Sequence, residues 1–278
     1  MQQFFKYQGA CNDFIVFDNR KGFFDSGNQQ LIKRLCSRRF GIGADGLMLL
    51  QEREGYDFEM LYFNADGREG SLCGNGGRCI VAFAHRLELF QHQSVFLAAD
   101  GEHTAYLTGR NGAEVAEAEQ VGNGEYMVKL KMNDVTAIGS DGQAWVLDTG
   151  SPHFVQQVEQ LQHFSLIDEA KKVRYGTAYG EKGINVNYVE SLPEGGYAIR
   201  TYERGVEDET LACGTGATAA ALAMAYQEGL KDGAYSIPMK ALGGQLTIHF
   251  RKQGSSYREI YLEGPATFVY EGYIDQSV

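Results

Sequence analysis

The chain is 278 residues long with a formal net charge of −11, from 25 Lys and Arg against 36 Asp and Glu. An acidic chain without sustained basic runs excludes nucleic acid and anionic membrane as expected partners, and no apolar run approaches the roughly 20 residues that cross a bilayer. Five cysteines, an odd number, point to thiols in a reducing compartment, and an opening without signal-peptide features adds the expectation of a soluble, cytoplasmic protein.

In chain order, Phe4–Tyr7 and Phe14–Phe17 read as strands joined by the turn-forming stretch Gln8 to Asp13. Leu31, Ile32, Leu35 and Cys36 then form one apolar helix face, which makes Cys36 a core residue. Gly41-Ile42-Gly43-Ala44-Asp45-Gly46 matches a dinucleotide fingerprint by letter, but a helix precedes it and the strand Leu47–Leu50 follows, the reverse of what that motif needs. It reads as a tight connecting turn. The strand Phe58–Phe63 ends at Asn64-Ala65-Asp66-Gly67, and Leu72-Cys73-Gly74-Asn75-Gly76-Gly77-Arg78 leads into the apolar helix Cys79–Ala84. Strands are expected at 95–98, 104–108, 113–118, 126–132 and 145–148, with a domain boundary near 110 to 125.

The second half repeats the first. Gly150-Ser151-Pro152-His153-Phe154 resembles Cys11-Asn12-Asp13-Phe14 in position, 165–174 reads as a short helix, and strands return at 185–189 and 198–202. Glu203-Arg204-Gly205 precedes Leu211-Ala212-Cys213-Gly214-Thr215-Gly216 as Asn64 to Gly67 precedes Cys73. The following helix has six alanines among the nine residues 217–225 and almost no polar face, so it is expected to be buried. Further strands at 236–241, 245–250, 259–263 and 266–270 make the chain α+β: two similar domains, each a curved, mostly antiparallel sheet wrapped around one apolar helix. The expected halves are 1–115, completed by 264–278, and 116–263.

Each Cys-Gly-X-Gly loop places a thiol where helix N–H groups have no intrahelical partner and the peptide dipoles leave positive potential. A thiol pKa near 8.5 falls toward roughly 3.5–7.5 at such a site, and glycine lets the backbone approach an anion closely. Cys73 and Cys213 are therefore the candidate reactive residues, while Cys11, Cys36 and Cys79 read as buried structural cysteines. No C-x-x-C or Cys/His cluster suggests zinc or disulfide exchange. A cysteine hydrolase would leave the second loop unexplained.

Taken together, Asn12-Asp13-Phe14, Phe63-Asn64-Ala65-Asp66-Gly67, Cys73-Gly74-Asn75-Gly76-Gly77-Arg78-Cys79, Glu203-Arg204-Gly205, Ala212-Cys213-Gly214-Thr215-Gly216-Ala217 and the closing Gly264-Pro265-Ala266 strand resemble the diaminopimelate epimerase family over nearly the whole chain. That resemblance implies a homodimeric isomerase with no cofactor and no metal, which interconverts LL- and meso-diaminopimelate for lysine and peptidoglycan synthesis. It also implies a site in a cleft, with Cys73 and Cys213 on opposite faces of the substrate α-carbon and the last strand returning to the first domain. Backbone N–H groups around Gly74-Asn75 and Gly214-Thr215 would hold the α-carboxylate. Asn12 would lie near the reacting end; Asn64, Asn185 and Arg204 would hold the distal end, and Glu203 and His153 would tune the thiols. Asn64 also suits a plain Asx turn, His153 a surface loop, and Arg204 an ion pair with Glu207 or Asp208. Three positions depart from the family pattern: Cys11 for a glycine, Gly46 for a glutamine and Ser151 for an asparagine. A proline or hydroxyproline racemase and a binding protein that has kept the site are the rival readings.

Overall fold

The computed structural model describes residues 1–70, 72–108 and 124–275. The strand expected at 113–118 and most of the expected boundary region lie outside the described residues. The chain forms two compact units, Met1–Leu130 together with the chain from Gly264 onward, and Lys131–Glu263.

The first unit contains β1 (Gln2–Gly9), β2 (Asn12–Asp18), α1 (Gln29–Cys36), β3 (Gly46–Gln51), β4 (Phe58–Asn64), β5 (Glu69–Gly70), α2 (Gly74–Arg86), β6 (Gln93–Ala98), β7 (Gly101–Thr108), β8 (Glu125–Lys131) and the far half of β17 (Ser256–Ile274). Pairing runs β17–β1–β2–β3–β4–β6–β7–β8 and returns to β17. The sheet is thus a closed barrel, and α2 runs inside it, with every residue from Gly74 to Ala84 buried. The apolar runs of β2 and β3 follow from this layering. Phe14 and Met48 face the helix, where a side chain on Gly76 would touch both. Ile15, Phe17, Leu47 and Leu49 face the other way, against Ile32, Leu35 and Cys36 of α1. A strand covered on both faces loses its polar alternation. Asn28 caps α1, its side chain accepting from the N–H of Leu31.

The second unit contains β9 (Gly139–Asp141), β10 (Ala144–Asp148), β11 (Pro152–Gln157), α3 (Leu166–Arg174), β12 (Asn185–Ser191), β13 (Tyr197–Glu203), β14 (Asp208–Thr210), α4 (Gly214–Gln227), β15 (Gly233–Ala241), β16 (Gly244–Gln253) and the near half of β17. Its connectivity copies the first unit: an antiparallel hairpin, a parallel step across a helix, an antiparallel return, a two- or three-residue antiparallel strand, the enclosed helix, a second parallel step and two antiparallel strands. Here α4 is enclosed by β10, β11, β12, β13, β15 and β16. Phe154, Val186, Tyr188 and Tyr202 face α3, which turns His153, Asn185, Asn187, Thr201 and Glu203 toward α4 by strand alternation.

Three expectations change. His153, for which a surface loop is the alternative reading, lies on a strand, β11, and is completely buried. The two strands expected around Gly264-Pro265 are one 19-residue strand. It exchanges its partner β16 for β8 at Gly264 and continues beside β1. Cys11 is exposed, not buried, because β1 and β2 close through a two-residue turn, Ala10-Cys11, with φ of 52° and 63°. Paired positive φ values are the hairpin geometry that favours glycine, and a non-glycine residue there costs about 1–2 kcal/mol. Cys11→Gly is therefore expected to raise the melting temperature, and Cys11→Val to lower it, in thermal denaturation under reducing conditions.

Candidate active site

Cys73 is the N-cap of α2, with extended backbone at φ −90° and ψ 127°, so its thiol stands at the helix mouth beside the first-turn N–H groups. Its sulfur lies 3.6 Å from Asn12 Oδ1. The Asn12 amide is held in that orientation because its Nδ2 donates to Asp45 at 2.6 Å. Asp45 belongs to a four-charge cluster. Arg38 donates to Asp13 and Asp45, and the buried Lys6 pairs with Asp13 at 2.8 Å while donating to Gly43 O. Burial works against the Asp13 carboxylate, but the Arg38 and Lys6 hydrogen bonds override it and hold its pKa well below the ordinary range. Two cations and two anions leave this support neutral.

Beneath the mouth, Arg78 is completely buried. It donates to Gly74 O at 3.3 Å, Asn75 Oδ1 at 2.9 Å and Pro265 O at 3.4 Å. Cys79, one residue on, is buried and its pKa is pushed up to about 12 by desolvation, so it stays a neutral thiol. Asn64, at the end of β4, accepts from Tyr62 Oη at 3.2 Å, and its backbone closes the turn to β5. Gly46 sits beside this pair, and a Cβ there would come within 2.6 Å of the Tyr62 ring. Tyr62 thus occupies the volume that a longer side chain at 46 would need.

Cys213 is the N-cap of α4 in the same extended conformation. A polar chain converges on it. The Asn187 Nδ2 group lies 2.9 Å from Phe154 O and 3.1 Å from His153 Nδ1. The carbonyl fixes this end of the amide as the donor, so Nδ1 accepts and the imidazole proton sits on Nε2. That N–H meets Ser151 Oγ at 3.0 Å. Asn185 Nδ2 also donates to Ser151 Oγ, at 3.2 Å, which leaves the serine hydrogen for Thr215 Oγ1 at 3.3 Å. The Thr215 hydrogen then faces the Cys213 sulfur at 3.5 Å. His153 remains neutral: burial first, and the nearby Arg204 charge second, bring its pKa down to about 3. Burial raises the Glu203 pKa, opposed in part by Thr210 and then by Cys213. Arg204 donates its backbone N–H to Asn185 Oδ1 at 2.8 Å and its guanidinium to Lys182 O. Glu207 is engaged by Arg174 instead.

The first unit therefore brings together Asn12, Cys73, Gly74 and Asn75, and the second brings together His153, Asn185, Glu203, Arg204, Cys213, Gly214 and Thr215. Asn64 stands in the first unit beside Tyr62. Sequence reasoning missed Asp45, Asn187 and Thr201. The signal for Asn187 was present in Asn185-Val186-Asn187, two amides on one face of a strand; Thr201, its cross-strand neighbour, donates to Asn187 Oδ1 at 2.9 Å. Asp45 was hidden inside a glycine-rich turn whose acidic side chain resembles any solvated one.

The family model for diaminopimelate epimerase matches residues 4–127 and 145–269. A diaminopimelate epimerase of Flavobacterium psychrophilum is 43% identical over 267 residues, covering 96% of this chain and 98% of that one. One from Chlorobaculum tepidum is 42% identical over 272 residues, covering 96% and 98%. Among solved structures, a phenazine biosynthesis protein of the PhzF family from Bacillus anthracis superposes with a TM-score of 0.74 at 14% identity, over 99% of both chains. It shares the fold.

Two outcomes follow from this geometry. The ring resonances of His153 are expected to hold still between pH 5 and 8 in proton NMR. Because its folded pKa of about 3 lies below the unfolded value near 6.5, its contribution to stability is complete above pH 6.5. It is lost as pH falls toward 3, at up to about 1.4 kcal/mol per unit. A Cβ on Gly216 would lie 2.5 Å from Asn187 Oδ1 and 3.3 Å from Cys213 Sγ. Gly216→Ala should therefore lower stability by about 1–3 kcal/mol in denaturant melts and disturb the reactivity of Cys213 alone among the thiols.

Proposed function

The chain belongs to the diaminopimelate epimerase family, and on that premise we propose that it interconverts LL- and meso-2,6-diaminopimelate by proton transfer between two thiols. The observation that carries the reading is the duplication: Cys73 and Cys213 each cap a strand-enclosed helix, each followed by glycine. One sulfur as thiolate removes the α-proton, and the other as thiol delivers a proton to the opposite face. The roles exchange with the direction of reaction. An amino-acid α-proton is a very weak acid, so the negative charge that develops toward the carboxylate must be met by preorganised dipoles. The first-turn N–H groups of α2 and α4, around Gly74-Asn75 and Gly214-Thr215, are fixed in place before substrate arrives, which avoids reorganisation during the reaction.

Asn12 serves the reacting end, while Asn64, Asn185 and Arg204 serve the distal amino-acid group, where a guanidinium matches a carboxylate through paired hydrogen bonds. Glu203 and His153 set protonation near the sulfurs. The reading uses no cofactor and places the protein in the cytoplasm as a homodimer, supplying lysine and peptidoglycan precursors.

Incubating LL-diaminopimelate with reduced protein in D2O should place deuterium at the α-carbon as meso product appears, followed by proton NMR. Cys73→Ala and Cys213→Ala should each slow interconversion by about 10²–10⁴-fold or more. No exchange by folded, reduced protein would remove the assignment, and turnover of proline in its place would redirect it.

A further inference from the structure

Strand register matches the two units position by position. Phe14 opposes Gly46 and Met48 opposes Tyr62 in the first; His153 opposes Asn185 and Asn187 opposes Thr201 in the second. Both sets face the first turn of the enclosed helix, since a Cβ on Gly76 would meet Met48 and Phe14, and a Cβ on Gly216 would meet Asn187. The first unit fills this place with buried Phe14 and Met48, so the fold itself requires nothing polar there. The second unit buries His153, Asn187 and Thr201 instead, an imidazole, an amide and a hydroxyl whose desolvation is offset only by the hydrogen bonds among them.

Those hydrogen bonds run in one direction. Thr201 donates to Asn187 Oδ1 at 2.9 Å, and Asn187 Nδ2 donates to Phe154 O at 2.9 Å, so the amide is pinned at both ends. Its second Nδ2 hydrogen points to His153 Nδ1, 3.1 Å away. An imidazole that accepts at Nδ1 carries its proton on Nε2, and Nε2 meets Ser151 Oγ at 3.0 Å. Asn185 Nδ2 reaches the same oxygen at 3.2 Å, its own orientation fixed because Oδ1 accepts from Arg204 N at 2.8 Å. With two donors on its oxygen, Ser151 turns its hydrogen to Thr215 Oγ1 at 3.3 Å, and Thr215 turns its own to Cys213 Sγ at 3.5 Å. At the mouth of the first unit the sulfur is instead the donor, to Asn12 Oδ1.

We infer that Asn187 is a positioning residue: by selecting the Nε2–H tautomer of His153 it sets the direction of the His153–Ser151–Thr215 chain, which delivers a hydroxyl hydrogen to the Cys213 sulfur and eases ionisation of that thiol. A thiolate accepts such a hydrogen bond more strongly than a thiol does. The Glu203 carboxyl and the Arg204 guanidinium, the charged groups of the same mouth, add their own effect on the sulfur and are unchanged in the variants that test the chain. Asn187 acts through His153, and Ser151 acts through Thr215. The consequence for turnover rests on the proposed reaction, in which Cys213 as thiolate removes the α-proton in one direction.

Two measurements on the intact reduced protein test this, and neither needs substrate. Long-range proton–nitrogen NMR of the imidazoles, with the His153 signals identified by their loss in His153→Phe, should show Nδ1 bare and Nε2 protonated. The pH profile of iodoacetamide alkylation, read at each cysteine by peptide mass spectrometry with the exposed Cys11 as reference thiol, gives the Cys213 midpoint. Access changes a rate; ionisation sets the midpoint. Asn187→Met, which installs the side chain that the first unit carries at this position, should populate the Nδ1–H tautomer and raise the Cys213 midpoint by about half a unit or more, about a threefold loss of labelling below it. Ser151→Ala should raise the Cys213 midpoint in the same way but leave His153 in the Nε2–H form, because Asn187 still donates to Nδ1. The Cys73 midpoint should stay in place in both variants. An Nδ1–H imidazole in the wild-type protein overturns the inference, as does a tautomer that survives Asn187→Met or a Cys213 midpoint unmoved by Ser151→Ala. If Asn187→Met does not fold, the wild-type tautomer and the Ser151→Ala midpoint decide. A protein inactive on diaminopimelate that gives these shifts defeats the function and not the inference.

Discussion

A helix enclosed by strands around its circumference meets solvent only at its ends, and everything distinctive in this protein follows from that constraint. The interior of each unit admits small or apolar side chains, which accounts for the alanine series of α4 and the glycine-rich entry of α2. The unpaired N–H groups of the first turn must then be satisfied by whatever lies at the mouth. In both units the cap is a cysteine whose side chain does not close back on the helix as serine or aspartate would.

The duplicated architecture also makes the differences between the halves readable. Where two units share strand order and register, a residue that differs either has a role of its own or fills space. Gly46 belongs to the second kind, because Tyr62 fills its volume. Ser151 belongs to the first, since it accepts from both His153 and Asn185 and passes a directed hydrogen bond on to Thr215. Arg78 against Thr218, and Asn64 against Glu203, are two substitutions that change charge.

Much of this was legible in the residues. The repeat, the two helices and the paired cysteines are local patterns of spacing and apolarity, and nearly every long strand appears where alternation or apolar runs put it. What stayed hidden was set by partners distant in sequence. The three short strands β5, β9 and β14 are defined by the neighbours they pair with rather than by composition. The Pro-His start of β11 reads as a loop until Asn185 lies alongside it, and Pro265 reads as a strand end because nothing local reveals that β17 changes partners there. The role of Asp45 depends on Lys6, Asp13 and Arg38 meeting from three segments.

The long strand β17 has a consequence for how the molecule is made. Its second half supplies the stave that joins β1 to β8, so the first barrel lacks its seam until the chain beyond Gly264 has been synthesised. The ribosome delivers β1 to β8 early, yet two edges of that sheet stay unpaired while the entire second unit is being produced. Domains commonly fold as they emerge, and unpaired strand edges invite association with other chains. Here the N-terminal half must wait, and the second unit, whose segments are nearly contiguous, can finish first. A stop codon a dozen residues early would remove no part of the second unit and leave the first one permanently unclosed.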